Sequence, residues 1–296
     1  DGRRFLVMVL LVGLLLRLLL MPFSMHVDPR FTGDIASWVP TAQQWHSGER
    51  ESQGYLYPPL AYYSLALYLE YLARPIIQEL WSAPIEGAQA QFRWIASPTV
   101  FRTLFVLKAW YLLADLAIAS LLWRILRHEP THLRRLGLLG WVFNPLVLYH
   151  AYFHGQMDLL PLFFVVLALF LAERSQPTWA AFSLGMGACY KYFPFLFLVP
   201  MVLTLATGWR CGLRMLLAGT VPFILMLLPF LDSYGSLESP LTYYFFRAGY
   251  DLGFGAQVYP FLAFYAALLW YLYHRQAQTF GALWRICFAI LLVYFQ

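Results

Sequence analysis

"PPLAYYSLALYLEYLARPII", residues 58–77, is the stretch on which the topology turns. Hydropathy makes it a membrane span, while Glu70 and the opening Pro58-Pro59 weaken that reading. The choice fixes the side of everything N-terminal to it. With 58–77 on the outer membrane surface, Arg3, Arg4, Arg124, Arg127, Arg134, Arg135, Arg174, Arg210, Arg214 and Arg275 all face the cytoplasm. The outer side then receives Asp28, Asp34, Glu49, Glu51, Glu79, Glu86, Asp158, Asp232, Glu238 and Asp251. That is the separation the positive-inside rule produces. If 58–77 spanned instead, Arg3 and Arg4 would lie outside and Asp34 would face away from Lys191.

Working outward, the apolar character holds along the whole chain. It is 61% hydrophobic and 12% charged, with a mean hydropathy of +0.60. Soluble domains carry roughly 25% charged residues. Apolar runs recur at 5–23, 99–124, 136–152, 157–173, 214–231, 257–273 and 279–296. As one straight helix, 178–207 would be about 45 Å long, too long for a ~30 Å hydrocarbon core. It would also bury Lys191, so two shorter helices meeting at "YKYFP" are expected. The sum is an all-α polytopic membrane protein with nine crossings, a cytoplasmic N-terminus and one large outer loop, residues 24–98. The whole of 1–296 reads as a single catalytic module. The first run is an uncleaved span, because no small-x-small cleavage site follows it. The chain stops in an apolar run, "LLVYFQ", as a truncated protein or a tag remnant would.

The sequence pI of about 9.1 reflects basic loops, and no nucleic-acid partner is expected. Three scattered cysteines give neither a disulfide framework nor a metal spacing. Asp28, Asp34, Asp158, His154 and Asp251 could form an oxygen-rich Mg²⁺ or Mn²⁺ site, but no pair has diagnostic metal spacing.

Polar groups at membrane depth cost at least ~2.5–3.5 kcal/mol each and require a reason. The outer side collects several. "FTGDIASWVPTAQQW", residues 31–45, sets Asp34 before a short amphipathic helix, 36–47, whose Trp38 and Trp45 suit the lipid interface. "YHAYFHGQMD" joins two spans and carries His150, His154, Gln156 and Asp158. Lys191 lies between Tyr190 and Tyr192, Arg247 lies in "FFRAGYD", and Arg17 and Arg102 occupy the outer parts of the first two spans. A carboxylate accepts a proton from a hydroxyl. Cations without acceptor capacity suit a phosphate. Together they describe group transfer from a phosphate-bearing lipid to an alcohol. For a glycosyl donor, a single base and a phosphate leaving group imply inversion through an oxocarbenium-like transition state.

Each residue also has a plainer role. Asp34 suits an N-cap. His154 and Gln156 suit backbone satisfaction at a turn, and His150 is read as structural. Lys191 suits snorkelling, Arg247 solvation, and Arg17 either snorkelling or a lipid phosphate. Lys108 and Asp115 are expected to bond neighbouring helices rather than act in catalysis.

"GDIASW", "YPPLAYYS", "FRTLFVLKAWYLLADLAI", "NPLVLYHAYFHGQMD", "CYKYFPF" and "FFRAGYD" occur in that order over most of the chain. The set resembles the C-type membrane glycosyltransferases that use polyprenyl-phosphate sugars. Within these it is similar to the dolichyl-phosphate-glucose glucosyltransferases and the bacterial polyprenyl-phosphate-mannose mannosyltransferases. The resemblance implies that Asp34 is the base and that Lys191, Arg247, His154 and Gln156 attend the donor. With them stand Asp158, Arg102 and Arg17 as donor phosphate or sugar contacts. Asp158 replaces an asparagine of the glucosyltransferase pattern, which leaves the sugar open between mannose and glucose. The resemblance, to metal-independent members, implies no cofactor. The expected partners are a polyprenyl-phosphate-sugar donor, a lipid-linked or glycolipid acceptor and the surrounding lipids.

The competing function is a transporter or lipid flippase. Against it stand the absence of an internal repeat and the long outer loop. A non-catalytic membrane subunit would leave the one-sided polar cluster unexplained. Asn144, followed by Pro145, is the sole asparagine, so the chain has no N-x-S/T acceptor site. This favours a bacterial plasma membrane, with the endoplasmic reticulum membrane as the alternative.

Overall fold

The computed structural model describes residues 2–23, 58–76, 99–228, 250–251, 257–258, 260–275 and scattered positions of 281–290. Asp34, the helix expected over 36–47, Arg247 and most of the span expected over 279–296 lie outside the described residues. The described chain is almost entirely helical and forms two compact units. One comprises residues 1–50 and 60–163, the other 51–59 and 164–296.

In the first unit, α1 (Gly2–Leu20) is 19 residues, about 28 Å at helical rise. Val7, Met8, Leu11, Val12, Leu15 and Leu19 lie on its exposed surface, where hydrocarbon rather than water is the fitting solvent. Its opposite side packs Val9 against Ala119, Trp123, Leu138 and Val142. The segment 58–77 is resolved as α2 (Pro59–Tyr68), which runs on as a five-residue π-helix, Leu69–Ala73. These 10 and 5 residues reach only about 22 Å, short of a ~30 Å core. The pattern of this stretch is as apolar as a span's, over a described length shorter than that core.

Next come α3 (Val100–Ala109) and α4 (Leu112–Ile125), bent by 44° at Trp110–Tyr111. α5 (Thr131–Val142) leads through Asn144 into a short turn, Pro145–Val147, and a π-helix, Leu148–Phe153. Asn144 caps the restart by accepting the Leu146 N–H at 2.9 Å, and Pro145 occupies the first position, where no N–H is needed. α6 (Leu159–Glu173) follows and runs from the first unit into the second.

The second unit contains α7 (Pro177–Ala188), α8 (Phe195–Leu205), α9 (Trp209–Leu227) and α10 (Pro260–Arg275). Residues 178–207 are divided as their length demands, with Cys189–Pro194 outside both helices. α7 and α9 cross at Gly185 and Gly219, where a Cβ on Gly185 would collide with the Gly219 carbonyl oxygen. Such close crossings through small residues are how helices associate when hydrophobic burial supplies little preference. A two-residue β1 (Tyr250–Asp251) pairs antiparallel with β2 (Gln257–Val258), so the helix expected from 257 begins instead at Pro260.

Two described helical stretches are long and apolar enough to cross a membrane by themselves, Thr131–Phe153 and Trp209–Leu227. A third results if the bent pair Val100–Ala109 and Leu112–His128 is one span.

Candidate functional site

The turn that carries His154, Gln156 and Asp158 follows the π-helix Leu148–Phe153. A helix end leaves its last carbonyls without intrahelical partners. Here they can be traced in turn. The Tyr149 carbonyl accepts the His154 N–H at 2.8 Å, and the His150 carbonyl accepts the Gln156 N–H at 2.9 Å. The Ala151 carbonyl accepts the hydroxyl of Tyr111. The Tyr152 carbonyl accepts Lys108 Nζ at 2.6 Å. Lys108 also donates to the Phe23 carbonyl at 2.7 Å, the last described residue before the segment containing Asp34. An ammonium at a helix C-terminus also complements the helix dipole.

The reversal itself needs Gly155. Its φ is 78°, in the left-handed region that a Cβ disfavours. His154 and Gln156 thus flank a buried glycine, and both are half-buried, as is Asp158. The His154 ring stacks on Tyr149 with centroids 6.4 Å apart and meets His150 edge-on at 6.2 Å. His150, read as structural, therefore stands beside His154 in the same ring cluster.

Beneath this turn lies a buried ionic network. The Arg17 guanidinium donates to Asp115 through Nε, and its Nη1 donates to the Val142 carbonyl at 2.9 Å and the Gly13 carbonyl at 3.1 Å. Asp115 also accepts Trp141 Nε1 at 2.9 Å and the Tyr152 hydroxyl at 2.7 Å. Arg17 and Asp115 are each 1% exposed and Lys108 is 0% exposed. Buried charges need such saturation to offset desolvation. Arg17 thus does not snorkel, and where the sequence suggested a lipid phosphate the structure gives it Asp115 and two carbonyls. Lys108 and Asp115 bond neighbouring elements, but α3 and α4 bend between them, so they do not share one straight helix.

Arg102 is exposed on α3. In the second unit, Lys191 is half-buried in the break between α7 and α8, and its N–H bonds the Gly187 carbonyl at 3.2 Å. Tyr190 stacks on Phe164 at 5.8 Å, and Tyr192 meets Phe223 edge-on at 5.8 Å. Among the described residues, no group of three or more His, Cys, Asp or Glu side chains is placed to hold a metal ion.

What sequence reasoning missed was Tyr111 and Tyr152. The signal available was the recurrence of tyrosine near costly polar residues, since a buried hydroxyl requires a partner.

The arrangement is a half-buried imidazole–amide–carboxylate turn on a saturated polar base, suited to hydrogen-bonding an oxygen-rich ligand. No curated protein and no solved structure matches the chain. Residues 90–294 match glycosyltransferase family 87, and that stretch contains Arg102, His154, Gln156, Asp158, Lys191 and Arg247. Covering more than half of the chain, the match shows that this integral membrane protein belongs to glycosyltransferase family 87 and is a membrane glycosyltransferase of the C-type.

Proposed function

We propose that the protein is an inverting hexosyltransferase that takes mannose or glucose from a polyprenyl-phosphate donor. The acceptor is a hydroxyl of a lipid-linked glycan or a lipid headgroup on the extracytoplasmic side. The chain crosses the membrane nine times, and residues 24–98 form an outer loop with membrane-surface helices. The observation that carries the reading is the family match over 90–294, which includes the His154–Asp158 turn.

In this mechanism the acceptor oxygen attacks C1 of the hexose. The bond from C1 to the phosphate oxygen breaks, and polyprenyl phosphate departs with the electron pair. Asp34 takes the proton of the attacking hydroxyl. Lys191, Arg247 and Arg102 stabilise charge gathering on the departing phosphate, and His154, Gln156 and Asp158 bond the phosphate or the sugar. Arg17 takes no direct part, because its guanidinium is committed to Asp115 and to backbone carbonyls. No metal is invoked, since a monophosphate leaving group surrounded by cations needs none.

The test uses the purified protein in lipid nanodiscs with radiolabelled polyprenyl-phosphate mannose and glucose and a lipid acceptor extract. Wild type is expected to transfer one hexose with inversion at C1. Asp34→Asn is expected to lose transfer while still binding donor. Equal transfer by both would remove Asp34 from the chemistry. A folded wild type that neither binds nor transfers would favour the transporter reading.

A further inference from the structure

We propose that Lys108 and Tyr111 are positioning residues that set the placement of the His154–Asp158 turn. The inference rests on reading that turn as part of the transfer site. Two consecutive carbonyls at the end of the π-helix, Ala151 and Tyr152, are held by side chains from α3 and from the α3–α4 bend. The next two residues are Phe153 and His154, so the contacts fix the backbone where the turn departs. The Tyr152 side chain is fixed as well, its hydroxyl bonding Asp115 and its ring meeting Tyr111 at 5.9 Å. This segment is therefore gripped at its carbonyls and at one side chain, from a core in which Lys108, Tyr111, Asp115 and Tyr152 are all buried.

The bonds of Lys108 go further. Its single ammonium joins the Tyr152 carbonyl to the Phe23 carbonyl. It thus ties the start of the turn to the end of the first helical segment, from which the chain continues to Asp34. Neither Lys108 nor Tyr111 need touch substrate. Their contribution is geometric, and small displacements of reacting groups have large kinetic effects.

The experiment compares wild type, Lys108→Met, Tyr111→Phe and, as a control, Tyr68→Phe in nanodiscs. Tyr68 donates to a different carbonyl of the same unit, Val106 O, at 2.6 Å. Hydrogen exchange of the segment spanning 149–157 is expected to quicken about tenfold or more in Lys108→Met and Tyr111→Phe, but not in Tyr68→Phe. Exchange in α7 and α9 is expected to stay unchanged. Transfer kinetics supply the second readout. In both variants kcat/KM is expected to fall about tenfold to a hundredfold, and His154→Ala is expected to cost less in the Lys108→Met background than alone.

Wild-type exchange at 149–157 in both variants would overturn the proposal, as would full additivity of Lys108→Met with His154→Ala. If wild type transfers from no donor, the hexosyltransferase reading fails. The exchange result then still decides whether the turn is held in this way.

Discussion

The hydroxyl of Tyr265, on α10, donates to the carbonyl of Leu196, on α8, at 2.9 Å. That carbonyl is the one stranded by Pro200 inside α8, because proline has no N–H for the residue four positions before it. In a low-dielectric medium a stranded carbonyl is costly, and neighbouring helices commonly supply the missing donor. Tyr265→Phe should therefore destabilise the second unit by about 1–3 kcal/mol. In a Pro200→Ala background the backbone N–H restored at that position bonds the Leu196 carbonyl, and the same change should cost clearly less. Chemical unfolding in mixed micelles measures both, and equal costs in the two backgrounds would refute the assignment.

Replacing only one member of the Arg17–Asp115 pair leaves the other charge buried. Arg17→Met or Asp115→Ala should each cost about 3–5 kcal/mol. The double variant should lose less than the sum of the two. Asp115→Ala should be the more damaging single change, since it also strands Trp141 Nε1 and the Tyr152 hydroxyl. Thermal unfolding of the four proteins in one detergent gives the comparison.

The crossing of α7 and α9 has no room for a methyl group. Gly185→Ala should cost about 1–3 kcal/mol through overpacking. Gly140→Ala is the matched control, since a Cβ there meets nothing within 4 Å. It should be neutral or stabilising by up to about 1 kcal/mol. Should the two substitutions prove equivalent in thermal stability, the close approach at Gly219 is not what constrains Gly185.

Gly155→Ala keeps every polar side chain of the turn but opposes its φ of 78°. The left-handed conformation costs about 1–2 kcal/mol once a Cβ is present, so the turn should relax. Transfer, measured as kcat/KM for the donor, should fall about tenfold or more while the protein remains folded. Unchanged transfer would separate the turn's geometry from catalysis.

How far the chain could be read beforehand follows from the range of the forces involved. Apolar periodicity and length are local, so the helical membrane class and the division at Cys189–Pro194 were legible, the latter because Lys191 and Pro194 interrupt an overlong run. The change from α2 to a π-helix at Leu69 was not legible, because composition does not report how a helix is wound. The 44° bend at Trp110–Tyr111 carries neither proline nor glycine to announce it. The partner of Arg17 was equally hidden, since Asp115 is distant in sequence and neither residue has a local pattern naming the other. Within the candidate site, the polar composition of the turn was visible from the residues alone. Its mounting on Tyr111, Lys108 and Tyr152 was not, because carbonyl acceptors are invisible in a sequence.

The separation of 98 residues between Arg17 and Asp115 also bears on how the protein is made. During synthesis α1 emerges carrying a guanidinium whose counter-charge has not yet been translated. In the packed core that Arg17 occupies, 1% exposed, a guanidinium without that partner would cost about 3–5 kcal/mol. α1 therefore reaches its packed position only together with α4. Burial of Arg17 and ion pairing then become one event, which waits on the translation of Asp115.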